Sequence, residues 1–297
     1  MKWDGHTHTH FCKHGSAAHL RVYLDQAVAL GFERYTVSEH PPLPAGWIAD
    51  QALFAELAMK MDELPDYLAC VAEAKKAYEG KLDVQIGLEL DYLSGNESFT
   101  EHIVEKCGDM LEDAVVSVHF LPGEGGMRCV DFTADDFRDG LLRYYGTMDA
   151  VAEEYYNHVE KAIEQASAWP FRTRIGHINL IEKFLLALPG IDEGLIRRRL
   201  TGIIAKLKAA GVGVDVNVAG FRKDTCGKAY APAWFIEACM AEGIACVYGS
   251  DAHQPHDVGR DWLWYAETTK KITKDNVNRD HAIRGQANIS HGNGSTG

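Results

Sequence analysis

The sequence has no stretch of about eighteen consecutive apolar residues, which excludes a membrane-spanning helix. Met1 leads directly into Asp4-Gly5-His6 without the apolar segment of a secretory leader, so no signal peptide is expected. Positive charge is scarce: 30 Lys and Arg stand against 43 Asp and Glu, for a net charge of -13. The longest basic run, Arg197-Arg198-Arg199, lies inside a helical pattern. A nucleic-acid surface needs clustered cations, so no nucleic-acid partner and no membrane partner are expected. Cysteine is sparse too. Cys12, Cys70, Cys107, Cys129, Cys226, Cys239 and Cys246 are odd in number and scattered, which fits neither a disulfide framework nor a zinc ribbon. They read as reduced thiols, and a cytoplasmic location is expected. Low-complexity linkers, repeats and composition breaks are also missing, so residues 1–290 read as one domain. Residues 291–297 have nothing apolar to bury and read as a disordered tail.

Histidine, by contrast, is abundant, with 14 among 297 residues. Its placement follows a recurring unit: a short, β-branched apolar run ending at a metal-ligand type of residue, followed by a helical pattern. Met1–Gly5 ends at His6-Thr7-His8, Tyr35–Ser38 at Glu39-His40, Val84–Leu88 at Glu89, and Val115–Val118 at His119. Arg174–Gly176 ends at His177, Val212–Val216 at Asn217, and Ala245–Ser250 at Asp251-Ala252-His253. Helical patterns cover 20–30, 66–79, 134–168, 192–210 and 234–242, and the glycine-rich stretch 122–126 reads as a surface loop. Strands alternating with helices imply a parallel α/β sheet. A doubly wound sheet gathers its ligand at one switch point, whereas here nearly every strand end contributes, so a closed or nearly closed barrel is expected.

His6 and His8 leave an extended strand on the same face and can grip one ion. One such pair is an ordinary feature of a surface strand, but Asp251 and His253 repeat it at the other end of the chain. Either His10 or His14 could add a ligand. His40, Glu89, His119 and His177 taken singly are ordinary polar strand ends; together on one barrel face they indicate metal. Imidazoles with a few carboxylates suit Zn, Mn or Fe, and the ligands are too many for one tetrahedral ion, so two or three divalent ions are expected. Arg222 follows a strand end and could hold phosphate oxygens in a forked grip, with Lys183 a second cation. Arg174 lies within a strand and is not a candidate. Trp262, Trp264 and Tyr265 read as packing residues. Glu39, Asp91 and Glu124 read either as partners of ligands, as exposed charges or as contacts for a cationic substrate group.

Asp4-Gly5-His6-Thr7-His8, Phe11-Cys12-Lys13-His14-Gly15-Ser16, Ser38-Glu39-His40-Pro41-Pro42, Gly87-Leu88-Glu89, Ser117-Val118-His119, Gly176-His177, Gly220-Phe221-Arg222-Lys223 and Gly249-Ser250-Asp251-Ala252-His253 follow one another across residues 4–253. In this set and order the chain resembles the polymerase and histidinol phosphatase (PHP) family, in its histidinol-phosphate phosphatase branch. The resemblance implies a distorted (β/α)7 TIM-like barrel with a trinuclear metal site at the C-terminal ends of its strands. It places His6, His8, Glu89 and Asp251 on a first ion, Glu89, His119 and His177 on a second, and His14, His40 and His253 on a third. Glu89, Asp251 and His253 are the implied catalytic residues, and Arg222 and Lys183 the substrate-binding ones. Relatives often carry glutamate where this chain has Asp215, one methylene shorter. The implied activity is metal-dependent hydrolysis of L-histidinol phosphate to L-histidinol and phosphate in histidine biosynthesis. Closely spaced divalent ions suit that reaction, because they activate water and neutralise a dianionic phosphoryl group. Other readings are a phosphoesterase for another small phosphate ester, an amidohydrolase-like metal hydrolase, which shares the first-strand His pair, or a structural PHP-like module. No pattern defines an oligomeric state.

Overall fold

The computed structural model describes residues 1–270. The expected tail at 291–297 and the end of the expected domain, 271–290, lie outside the described residues. Nine strands occur among the described residues: β1 (Trp3–Asp4), β2 (Arg34–Glu39), β3 (Asp83–Asp91), β4 (Asp113–Ser117), β5 (Phe120–Gly123), β6 (Gly126–Cys129), β7 (Arg172–Ile175), β8 (Gly213–Asn217) and β9 (Cys246–Gly249). Seven of them form one sheet in the order β1-β2-β3-β4-β7-β8-β9, with every neighbour parallel. The two edges meet. Gly5 N donates to Tyr248 O at 2.8 Å, Asp251 N to His6 O at 2.8 Å and His8 N to Ala252 O at 3.0 Å, so the sheet nearly closes into the expected seven-strand barrel. Strands covered on both faces are buried throughout, as β4 and β8 are along their whole length, their polar residues Asp113, Ser117, Asp215 and Asn217 included.

Helices α1 (Leu20–Ala29), α2 (Gln51–Leu57), α3 (Leu64–Ala77), α4 (Glu97–Cys107), α5 (Ala134–Phe137), α6 (Arg143–Tyr145), α7 (Met148–Ala166), α8 (Glu193–Ala210) and α9 (Ala233–Ala241) surround the sheet. In α1, Leu20, Tyr23, Leu24 and Ala27 form the buried stripe that helical spacing dictates. Gly31 ends this segment with φ 73°, a left-handed conformation costly for a residue with a Cβ.

Two segments differ from the sequence reading. The helical pattern at 134–168 is broken: α5 passes through a π-turn at Arg138–Leu142 into α6, Gly146 turns the chain at φ 83°, and Thr147 caps α7 by accepting from Ala150 N at 3.1 Å. The glycine-rich stretch is a β-hairpin, not an irregular loop, with Phe120 opposite Cys129 and Gly123 opposite Gly126. Trp262, Trp264 and Tyr265 do pack, on a helix at 262–270. Trp262 meets Phe32 edge-on at 5.3 Å and Tyr248 at 4.9 Å, and Tyr265 donates to Cys246 O at 2.8 Å.

A polar plug fills the barrel interior on the strand N-terminal side of the ligand residues. Arg174, 1% exposed, donates to Asp113 Oδ1 at 2.6 Å and to Gly5 O at 2.7 Å. Thr36 donates to the other Asp113 oxygen at 2.7 Å and accepts from Trp3 Nε1 at 3.0 Å. These bonds join β1, β2, β4 and β7 across the interior and tie the chain just before His6 to the far side of the barrel.

Candidate metal centre

All nine residues expected as metal ligands converge at the C-terminal edge of the barrel. Glu89, at 1% exposure, occupies the middle. Its Oε2 faces His6 Nε2 at 3.1 Å, His8 Nε2 at 3.4 Å and His40 Nδ1 at 3.3 Å. Its Oε1 faces His177 Nε2 at 2.9 Å and His119 Nε2 at 3.4 Å. One carboxylate thus touches five imidazoles, and His40 on one oxygen and His119 on the other lie close enough to share an ion with it. Asp251 Oδ1 adjoins the imidazoles on the Oε2 side, 3.2 Å from His8 Nε2 and 3.9 Å from His6 Nε2.

The remaining ligands stand nearer the rim, where His14 Nε2 lies 3.1 Å from His253 Nε2 and His14 itself is exposed. His253 stacks on His8 with ring centroids 4.0 Å apart, and His40 stacks on His8 at 4.5 Å. Of the two open candidates after the first strand, His14 joins the cluster, while His10 stacks on His19 at 5.4 Å.

Ion binding fits this arrangement on two observations. His119 and His177, like His14 and His253, point their Nε2 atoms together at 3.1 Å. Two ligands at the usual Zn–N length of about 2.0–2.1 Å on a tetrahedral ion stand about 3.3 Å apart. In addition, His6 Nε2 and His8 Nε2 are buried facing carboxylate oxygens of Glu89 and Asp251 without a well-formed hydrogen bond among the described residues, an arrangement that a cation between them would satisfy.

The opposite ring nitrogens of five of these imidazoles are held in place, whereas His177 Nδ1 is buried with no hydrogen-bond partner among the described residues. His6 Nδ1 faces Asp215 Oδ2 at 2.8 Å, His8 Nδ1 faces Glu39 Oε1 at 3.2 Å, and His119 Nδ1 faces Asp91 Oδ1 at 2.7 Å. Backbone carbonyls serve His14 (Glu56 O, 2.9 Å) and His253 (Asp251 O, 3.1 Å). Such partners fix the tautomer that leaves Nε2 free to coordinate. They also settle what Glu39, Asp91 and Asp215 do: each orients an imidazole. Glu124 is exposed in the hairpin turn, away from the cluster.

Local backbone geometry serves the same end. His177 (φ 20°) and Asp251 (φ 52°) occupy conformations that non-glycine residues rarely adopt, and both carry candidate ligands. Gly249 is required by close approach, since a Cβ there would fall 2.0 Å from Asp215 Oδ1 and 2.8 Å from His6 Cβ.

In the ion-free protein, burial pushes Glu89 and Asp251 up, but the surrounding imidazoles outweigh it and hold both well below the usual carboxylate range. Burial pushes His8 down, yet the adjacent carboxylates of Asp251 and Glu39 and the charge of Glu89 raise it to about 9. His253 falls to about 3 through burial and the neighbouring His8.

A cavity of about 380 Å³ opens over the cluster, and Arg222 and Lys183 both line it. Arg222 Nη2 donates to Ser250 O at 2.7 Å, and its Nε lies 3.5 Å from Asp257, so part of its guanidinium anchors the turn carrying Asp251. Lys183 Nζ donates to Asp131 Oδ2 at 3.0 Å. Asp131 was not anticipated. It is an isolated acidic residue just past the hairpin, and no strand-end pattern marks it; burial pushes its carboxyl up, but Lys183, His119 and His177 hold it at about 2. Tyr230 and the exposed Lys223 also line the cavity without a sequence signal that singles them out.

Fold and site together define a metal-dependent hydrolase on an α/β barrel, with its chemistry at the C-terminal strand ends. The PHP domain model matches residues 4–219. The chain is 34% identical to the histidinol-phosphatase of Bacillus subtilis over 259 residues, spanning 87% of this chain and 96% of that protein. A solved structure from Listeria monocytogenes, designated a histidinol phosphatase, superposes with a TM-score of 0.84 at 35% identity, covering 89% of this chain and all of that one. The fold is shared more distantly, at a TM-score of 0.67 and 18% identity over 92% of this chain and 93% of the other, with a histidinol phosphate phosphatase of Lactococcus lactis solved with zinc, L-histidinol and phosphate. The chain belongs to the PHP family, in its histidinol-phosphatase branch.

Proposed function

We propose that this chain hydrolyses L-histidinol phosphate to L-histidinol and inorganic phosphate, using divalent ions held by the clustered imidazoles and carboxylates. The observation that carries this reading is the position of Glu89, whose Oε2 faces three imidazoles and whose Oε1 faces two more, a placement that would suit a ligand shared between ions. As in the resemblance, His6, His8, Glu89 and Asp251 would hold a first ion, Glu89, His119 and His177 a second, and His14, His40 and His253 a third. Zn, Mn and Fe suit these donors. When bound, the ions supply positive charge against a phosphoryl dianion and lower the pKa of water between them.

The protein's own groups do the rest. Asp215, Glu39 and Asp91 keep three imidazoles in the coordinating tautomer, and Ser117 Oγ, donating to Glu89 Oε1 at 2.7 Å, keeps that carboxylate turned among its imidazoles. Glu89, Asp251 and His253 are the residues closest to the reacting phosphoryl group. Arg222 and Lys183 bring positive charge to a cavity in a protein of net charge -13. Asp131, held as a carboxylate on the same wall, faces the cationic amine end of the substrate. The free state of all seven thiols fits a reducing compartment, and we place the enzyme in the cytoplasm.

The test is phosphate release from L-histidinol phosphate by metal-replete protein. Release that stops on chelation and returns with added metal supports the reading. Good activity on another ester with none on histidinol phosphate rejects the substrate, and activity indifferent to chelation rejects the metal chemistry.

A further inference from the structure

Tyr230 lines the cavity and is 2% exposed, yet its hydroxyl is buried without a hydrogen-bond partner among the described residues. The residue is firmly held. Its N–H donates to Asn217 O at 3.0 Å, and its carbonyl accepts from Asn179 N at 3.0 Å, fixing it between the end of β8 and the turn after β7. Its ring lies edge-on to His177, with centroids 6.3 Å apart. It also rests on Gly220, where a Cβ would come within 3.1 Å of the ring. A rigid phenol with an unmet hydroxyl is unfavourable in the free protein and calls for an explanation.

Arg222 presents a matching feature on the same cavity wall. Its Nη2 and Nε are engaged by Ser250 and Asp257, whereas Nη1 is buried, makes no hydrogen bond among the described residues and lies 4.0 Å from Asp261 Oδ2, beyond hydrogen-bond distance. Two buried donors therefore lack a hydrogen-bond acceptor among the described residues, one neutral and one charged, in a cavity whose floor is the candidate metal cluster. A ligand that satisfies both must offer several acceptor oxygens and negative charge. Resting on the phosphomonoesterase reading above, we propose that Tyr230 Oη–H is a phosphoryl-oxygen donor, acting with Arg222 Nη1 on the non-bridging oxygens of the substrate's phosphoryl group.

Tyr230→Phe removes the hydroxyl and keeps the ring. The probe is inorganic phosphate, titrated by calorimetry into metal-replete parent and variant of equal metal content. Phosphate should bind the variant about five- to tenfold more weakly. The melting temperature of phosphate-free protein should stay level or rise, because the removed hydroxyl had no partner. Unchanged phosphate affinity overturns the proposal, as does weakened binding accompanied by loss of metal or a lowered melting temperature, which marks a structural role. Phosphate binding is read without turnover. If parent protein fails to hydrolyse histidinol phosphate while Tyr230→Phe still weakens phosphate binding, the donor role stands and the substrate reading alone falls.

Discussion

Glu39 accepts four hydrogen bonds in a fully buried setting, and replacing it with glutamine separates the work of a carboxylate from the work of its shape. Oε1 accepts from His40 N at 3.0 Å and faces His8 Nδ1 at 3.2 Å; Oε2 accepts from Thr9 N at 2.8 Å and Thr9 Oγ1 at 2.7 Å. An amide has one oxygen and one donor nitrogen. With the nitrogen toward Thr9, the threonine hydroxyl can turn and accept, but the Thr9 N–H is left facing a donor, at a cost of about 1–3 kcal/mol. With the nitrogen toward His8, His40 N loses its acceptor and His8 must take its proton on Nε2, the atom aimed at Glu89 and Asp251. The first orientation keeps the coordinating tautomer and is preferred. Glu39→Gln should therefore lower the unfolding free energy of metal-free protein by about 1–3 kcal/mol. Loss of the negative charge behind His8 should weaken metal binding by about 10–100-fold. Urea unfolding of stripped protein reads the first effect, and competition with a chromophoric chelator reads the second. Parental values in both assays would refute the role given to Glu39.

Glu89→Gln should reduce turnover by more than about 100-fold while circular dichroism and melting stay near parental values; collapse of the fold would mark a structural carboxylate. Arg174→Met leaves the buried Asp113 carboxylate with only Arg172 at 3.8 Å and the Thr36 hydroxyl at 2.7 Å and should destabilise the protein by about 3 kcal/mol in urea, and a loss below 1 kcal/mol would dismiss the plug as a determinant of stability. Because His8 is raised to about 9 in the ion-free protein, its proton competes with metal at neutral pH. Metal affinity should accordingly climb as pH rises from 6 to 8 and level off near 9, with proton release on binding, whereas a flat profile by chelator competition would contradict the sign.

The barrel and its ligand set were legible because most ligands lie within two residues of the C-terminal strand ends, Glu89 just inside β3 and His6, His40, His119, His177 and Asp251 just past theirs. His6, Glu89, His119 and Asp251 follow apolar, β-branched runs, and parallel α/β architecture puts all such ends on one face. What was hidden lacked a periodic signal. Helix α2 is only two turns long, and its short stripe of Leu53, Phe54 and Leu57 is only partly buried, against the small cluster around Ile48 and Phe120. Helix α4 fully buries only Thr100, Ile103 and Cys107, a short stripe with a single strongly apolar residue. The hairpin was masked by Pro122 and its glycines, which as isolated letters signal a loop, while its register depends on packing beneath Trp47 and Ile48. Asp215, Glu39 and Asp91 were visible as carboxylates, but which imidazole each one holds depends on approach distances that only the closed barrel sets. Asp131 and Tyr230 reach the cavity from loops after the hairpin and after β8, where sequence spacing carries no geometric information.

The central claim is that the clustered imidazoles and carboxylates form a multi-ion centre that hydrolyses histidinol phosphate. Titrating zinc into stripped protein while following phosphate release from L-histidinol phosphate tests it most directly. Activity should be absent without metal and rise to a plateau at two to three equivalents per chain; full activity in stripped protein, a plateau at one equivalent, or no release at any loading would contradict it.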